Sequence, residues 1–239
     1  MRILPAIDLK NGKCVRLLKG DFNNVTEYNC DPLEQANIFK SNQLNYLHIV
    51  DLDGAETGNQ FNKNVIREIL SISNLSIQVG GGIRSLKNVE NMLESGVSRV
   101  IVGTALFQDN FIKELERNFD SSQIVLALDF RINNNIPSIY THGWQDNSEI
   151  ELYEFIRNNP FFNNILATDI SLDGGMQGPS FLEYKKILSL FPSLNLIASG
   201  GIRSLDDLDL LKTMNINEAI IGKAIYEQNI SLLELTNDY

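Results

Sequence analysis

Two stretches of this chain are nearly the same: Val79-Gly80-Gly81-Gly82-Ile83-Arg84-Ser85 and Ala198-Ser199-Gly200-Gly201-Ile202-Arg203-Ser204. Each follows a short apolar, strand-like run and precedes a helical pattern. Glycines at such a junction let the backbone turn tightly and come close to a ligand. The unpaired N–H groups at the start of the following helix, at the positive end of its dipole, then form an anion site. One such loop is weak evidence, but these two are in register. Gly81 and Gly200 are 119 residues apart, and so are Ile101-Val102-Gly103-Thr104-Ala105 and Ile220-Ile221-Gly222-Lys223-Ala224. The shared offset describes a half of about 120 residues written twice, and two such halves approach the roughly 250 residues of an eight-stranded α/β barrel.

The rest of the chain fits that reading. Apolar strand-like runs fall at 3–8, 46–51, 76–79, 99–102, 124–129, 165–169, 194–198 and 218–221, and helical patterns separate them. Strict alternation of strands and helices favours parallel strands joined by crossover helices. The predicted fold is a single (β/α)8 barrel (TIM barrel) domain over 1–239 with a twofold internal repeat, its half-barrels at about 1–120 and 121–239. Asn11-Gly12 predicts a hairpin decorating the first βα loop. Asn133-Asn134-Asn135 reads as a loop tip.

With 20 basic and 30 acidic residues the net charge is −10, which argues against nucleic-acid binding. A small phosphorylated ligand stays compatible, because backbone amides and one or two local cations hold phosphate in an acidic protein. Cys14 and Cys30 lack metal-ligand spacing and the two histidines are far apart, so neither a metal nor a cofactor is expected. Free thiols, no leader-like start and no apolar run of membrane-spanning length predict a cytoplasmic protein. The doubling inside one chain predicts a monomer.

In a barrel of this kind, chemistry sits at the C-terminal ends of the strands. Asp8, Asp51, Asp129 and Asp169 all fall there. Asp8 and Asp129 each end the first strand of their half, so they can face each other across the barrel mouth and divide acid and base roles. The competing reading of each is a helix cap. Asp173, in the polar run 168–175, is a candidate third acid. Thr168, Asp51 and Arg16 are candidate substrate contacts, and Lys19 beside Arg16 is a further candidate for phosphate. The first anion site would use Gly81, Gly82, Gly103, Thr104 and Arg84. The second would use Gly178, Gly200, Gly201, Gly222 and Lys223, the lysine adding a charge that Thr104 lacks. Trp144 lies in a polar loop where it can stack on a planar ring.

Several of these motifs together resemble one family. They are Pro5-Ala6-Ile7-Asp8-Leu9, Val15-Arg16-Leu17, the run from Leu47 to Ala55, Gln78 to Arg84, Gly143-Trp144, Thr168-Asp169-Ile170 and Ala198 to Ile202. The chain resembles, over essentially its whole length, the phosphoribosylformimino-aminoimidazole-carboxamide ribotide isomerases of histidine biosynthesis. The resemblance implies a cofactor-independent Amadori rearrangement of a bis-phosphorylated aminoaldose to an aminoketose. It also implies Asp8 as base, Asp129 as proton donor, Asp173 as a further acid, and Trp144 stacked on the substrate's imidazole. Around Asp173 the family often has a basic residue and a Thr, where this chain has Leu172 and Gly175. The alternatives are the cyclase half of imidazole glycerol phosphate synthase, an isomerase that also takes phosphoribosyl anthranilate, and a non-catalytic phosphometabolite-binding barrel. The cyclase family typically carries Lys where Arg16 stands and lacks the Gly143-Trp144 pattern.

Overall fold

The computed structural model describes every residue except Lys19 and Gln60, and every side chain except those two and Asn237 and Asp238. The suggested role for Lys19 therefore lies outside the described residues. Among the described residues the strands are β1 (Arg2–Lys10), β2 (Lys13–Leu18), β3 (Asp21–Glu27), β4 (Tyr46–Asp51), β5 (Ser76–Gly80), β6 (Arg99–Val102), β7 (Ile124–Asn133), β8 (Ile136–Thr141), β9 (Asp146–Glu151), β10 (Asn164–Asp169), β11 (Asn195–Ser199) and β12 (Glu218–Ile221). Eight of them, β1, β4, β5, β6, β7, β10, β11 and β12, pair in parallel, and the β10–β7 pairing closes the ring into a barrel. β1 and β7 stand four strands apart in either direction, so they face each other across the barrel.

The helices are α1 (Pro32–Ser41), α2 (Leu52–Thr57), α3 (Lys63–Leu70), α4 (Leu86–Glu94), α5 (Phe111–Asn118), α6 (Leu152–Asn158), α7 (Phe181–Leu190), α8 (Leu205–Thr213), α9 (Lys223–Tyr226) and α10 (Leu232–Asp238). Strand side chains alternate between two apolar layers. Ile3, Ile7 and Leu9 of β1 pack in the large core with α1 residues such as Phe39, while Leu4 and Ala6 point inward to meet Ile101, Val125, Leu166, Ile197 and Ile220. Both faces of the eight barrel strands are buried, which is why these strands read as continuous apolar runs. At the N-terminal end of the barrel, Glu218 accepts from Arg2 (2.8 Å), from both Arg99 terminal nitrogens (3.0 and 2.5 Å) and from Asn195 (3.1 Å).

Two antiparallel extensions rise from the facing strands. β1–β2–β3 is the hairpin that Asn11-Gly12 predicts. β7–β8–β9 is a second one that the sequence did not reveal. Its first turn uses Asn134 and Asn135 with φ of 49° and 66°, the left-handed pair that a two-residue hairpin turn demands. The loop expected after β4 is also helical: Asp51 caps α2 through the Gly54 N–H, and Gly58 ends it with φ of 83°. None of the described helices is long and apolar enough to cross a membrane.

Candidate active site

A cavity of about 320 Å³ opens at the C-terminal ends of the barrel strands. Asp8, Asp129, Asp173, Arg16, Thr168 and Trp144 all line it, as do both glycine loops.

Asp8 lies on β1, and the hairpin register sets it opposite Val15. That brings the next residue, Arg16, into an ion pair with the Asp8 carboxylate. A second Arg16 nitrogen donates to the Ala6 carbonyl at 3.0 Å. The guanidinium lies flat on Gly222, where any Cβ would overlap it. Arg16 thus serves the Asp8 carboxylate directly, a role the sequence did not specify.

Asp129 lies on the facing strand β7. Burial pushes its carboxyl above the ordinary range, while hydrogen bonds from the Trp144 indole N–H, at 2.8 Å, and the Thr168 hydroxyl favour the charged form. Asp173 follows β10 in the turn after Asp169. Burial pushes it up to about 6; the Arg16 guanidinium opposes this, and the Asp8 and Asp129 carboxylates add to it. One cavity therefore holds a carboxylate paired with Arg16 and two carboxyls that burial pushes upward.

Each glycine loop needs left-handed backbone. Gly81 and Gly82 have φ of 98° and 72°, and Gly200 and Gly201 have φ of 84° and 79°. A Cβ on Gly81 would overlap the Asp51 carbonyl, and one on Gly201 the Gly178 carbonyl. Gly103 and Gly222 share another unusual conformation, with φ/ψ of −117°/−104° and −111°/−95°. Ser85 and Ser204 cap the helices that follow, accepting from the Asn88 and Asp207 N–H groups. Lys223 reaches the cavity with Nζ 3.1 Å from the Gly174 carbonyl. Arg84 lines the cavity too, but donates to the Ala55 carbonyl at 3.0 Å and packs on Gly58. Its counterpart Arg203 bonds the Gln177 carbonyl and Asp207. Both arginines brace their loops.

Two expected site residues sit elsewhere. Asp51 is fully buried outside the cavity wall, its carboxylate taken by the Gly54 N–H (3.0 Å) and the Asn62 amide (2.6 Å). It is a cap, the alternative that any strand-end Asp carries. Gly178 lies behind the second loop, where its N–H donates to the Gly201 carbonyl at 3.0 Å and so is not free for an anion. Conversely, His48 faces the cavity from β4. Its Nδ1 is 2.9 Å from the Gln78 amide nitrogen, and burial with the Arg16 and Arg99 charges pushes it down to about 3, so it is neutral at neutral pH. Its place inside an apolar strand gave no sign of this exposure to the site. Among the described residues no three His, Cys, Asp or Glu side chains form a metal-holding cluster.

A family model described as "Histidine biosynthesis protein" matches residues 2–231. Three curated relatives carry the name 1-(5-phosphoribosyl)-5-((5-phosphoribosylamino)methylideneamino) imidazole-4-carboxamide isomerase. The one from Francisella philomiragia is 43% identical, over 98% of each chain. That from Elusimicrobium minutum is 44% identical, again over 98% of each. That from Pelagibacter ubique is 40% identical over 100% of this chain and 99% of its own.

Proposed function

The chain belongs to the histidine biosynthesis protein family, and from that membership we propose that it isomerises the bis-phosphorylated aminoaldose of its relatives' name to the aminoketose. The observation that carries the chemical part is the placement of Asp8 and Asp129 on facing strands of one cavity, between two glycine loops. The two loops lining one cavity suit a substrate with a phosphate at each end.

In this mechanism Asp129, whose carboxyl burial pushes upward, gives a proton to the ribose ring oxygen. The C1–O bond breaks and C1 becomes a protonated imine. Asp8, oriented by Arg16, removes the proton from C2, and the electrons move through C2–C1 to the nitrogen. The resulting enolamine loses its hydroxyl proton and gains one at C1, giving the aminoketose with no net change in atoms. Asp173 stands where it can share the donor role. Thr168 orients Asp129, and Trp144 offers its ring to the substrate's imidazole. Gly81, Gly82, Gly103 and Thr104 would hold one phosphate, and Gly200, Gly201, Gly222 and Lys223 the other. The matched loop geometry supports one barrel domain built of two half-barrels. The same doubling supports a monomer, and the free Cys14 and Cys30 thiols support a cytoplasmic site of action.

Growth tests the role in the cell. Expression in a histidine-requiring bacterium that lacks this isomerase should restore growth without histidine, and the Asp8→Asn protein should not. Failure of the unaltered chain, expressed and folded, would reject the proposal.

A further inference from the structure

We propose that Thr104 couples occupation of the first anion site to the placement of Trp144 on Asp129. This rests on the reading of Gly81, Gly82, Gly103 and Thr104 as an anion site.

The turn between β8 and β9 is fixed at three points. The His142 N–H donates to the Thr104 hydroxyl oxygen at 3.1 Å. The Trp144 indole N–H donates to Asp129 at 2.8 Å. The indole face lies against Gly20 of the opposite hairpin, where any Cβ would overlap the ring. Between these points His142, Gly143 and Trp144 have φ of 52°, 66° and 71° in succession. Non-glycine residues hold left-handed backbone only where their surroundings impose it. The conformation that puts the indole on Asp129 therefore depends on its anchors, and one anchor is a residue of the anion loop.

A threonine hydroxyl has one proton to give and lone pairs to accept with. Here the His142 N–H fills the accepting role. The proton is left for the cavity, beside Gly103 and the Gly81–Gly82 loop. A phosphate oxygen there would take it. Donation by the hydroxyl makes its oxygen a better acceptor, so the two bonds strengthen each other. Phosphate, Thr104 and His142 then form one chain, and binding of the phosphate tightens the turn that carries Trp144.

Among the described residues, no side chain of the second anion site bonds the turn that carries Trp144. Lys223 stands at the equivalent position, and its ammonium bonds the Gly174 carbonyl and pairs with Glu227. Only the phosphate at the first site would report to Trp144. Binding energy from a remote phosphate is thereby used to position a group beside the reacting centre. Thr104 is in this respect a positioning residue acting through the turn.

Trp144 is the only tryptophan, so its emission reports this turn alone. Inorganic phosphate would be titrated into the full chain, with emission and calorimetric heat followed together. The expected result is an emission change in the unaltered protein that tracks calorimetric binding. Thr104→Val should abolish the emission change and weaken phosphate at that site by about tenfold or more, and Thr104→Ser should restore both. Lys223→Met should weaken binding at the other site and leave the emission change in place. Thr104→Ala replaces the valine variant if the latter fails to fold. Heat without emission change in the unaltered protein would overturn the coupling, as would a response that survives Thr104→Val or follows Lys223 instead. Absence of both heat and emission change would overturn the anion-site reading beneath it.

Discussion

Replacing Asp173 by Asn should make the protein more stable while impairing turnover. In the fold, burial and the neighbouring Asp8 and Asp129 carboxylates push Asp173 from an ordinary 3.8 up to about 6, against the opposing pull of Arg16. An interval of about two pH units at 1.36 kcal/mol each sets a ceiling of about 3 kcal/mol on the cost of ionising it in place. Asp173 is half-buried at an open cavity, so solvent screening reduces the gain to about 1–2 kcal/mol, or about 3–6 °C in Tm for a chain of this size. The sign has a pH signature. Between about pH 4 and pH 6 the folded protein keeps a proton that the unfolded chain has lost, so this contribution to stability falls as pH rises through about 6. Asn has no such dependence. Thermal melts of the two proteins from pH 4.5 to 8 should differ little at the acid end, separate through pH 6 and stay separated above it. No gain at pH 7.5, or an equal gain at pH 4.5, would show that ionising Asp173 does not destabilise the fold.

Trp144→Phe keeps an aromatic ring but removes the indole N–H that favours ionised Asp129. The alkaline limb of the kcat/KM profile should move to higher pH, and an unmoved limb would show that Asp129 is not the titrating donor. Glu218→Gln leaves Arg99 and Arg2 facing a neutral group at the far end of the barrel. Denaturant unfolding should show a loss of about 3 kcal/mol, with kcat unchanged at temperatures where the protein stays folded. Gly201→Ala puts a Cβ into the Gly178 carbonyl at a φ of 79°, whereas Gly12→Ala, at a φ of 77°, meets nothing within 4 Å. Both pay the left-handed cost, so calorimetry should show loss of phosphate affinity in the first variant alone.

The repeated glycine loops, the eight parallel strands and the carboxylates of Asp8, Asp129 and Asp173 were legible because each rests on local chemistry. A glycine is needed where backbone meets backbone, and an acid that closes an apolar strand-like run, or follows it in a polar run, falls toward the C-terminal end of the barrel. What was not legible depends on partners far away in the chain. Asp51 closes an apolar run of the sequence as Asp8 does, and only Asn62 and the α2 N-terminus, folded back onto it, make it a cap. α2 was hidden by Gly54 and by its shortness, six residues held by that cap. The second hairpin was hidden because Asn134-Asn135 is a weaker turn signal than Asn-Gly, and β9 has no apolar alternation. The contact between Trp144 and Asp129 depends on that hairpin and so was out of reach as well. Arg16 could be placed near the mouth from its spacing, but its pairing with Asp8 follows from the β1–β2 register.

Direct turnover tests isomerisation by the Asp8–Asp129 pair most closely. The purified protein would be mixed with the bis-phosphorylated aminoaldose, without metal, nucleotide or ammonia, and the product identified by NMR. Aminoketose should form, and Asp8→Asn and Asp129→Asn should each slow its formation by about a hundredfold or more while the substrate still binds. Tight binding with no conversion by the unaltered protein, or full conversion by both variants, would contradict isomerisation by this carboxylate pair.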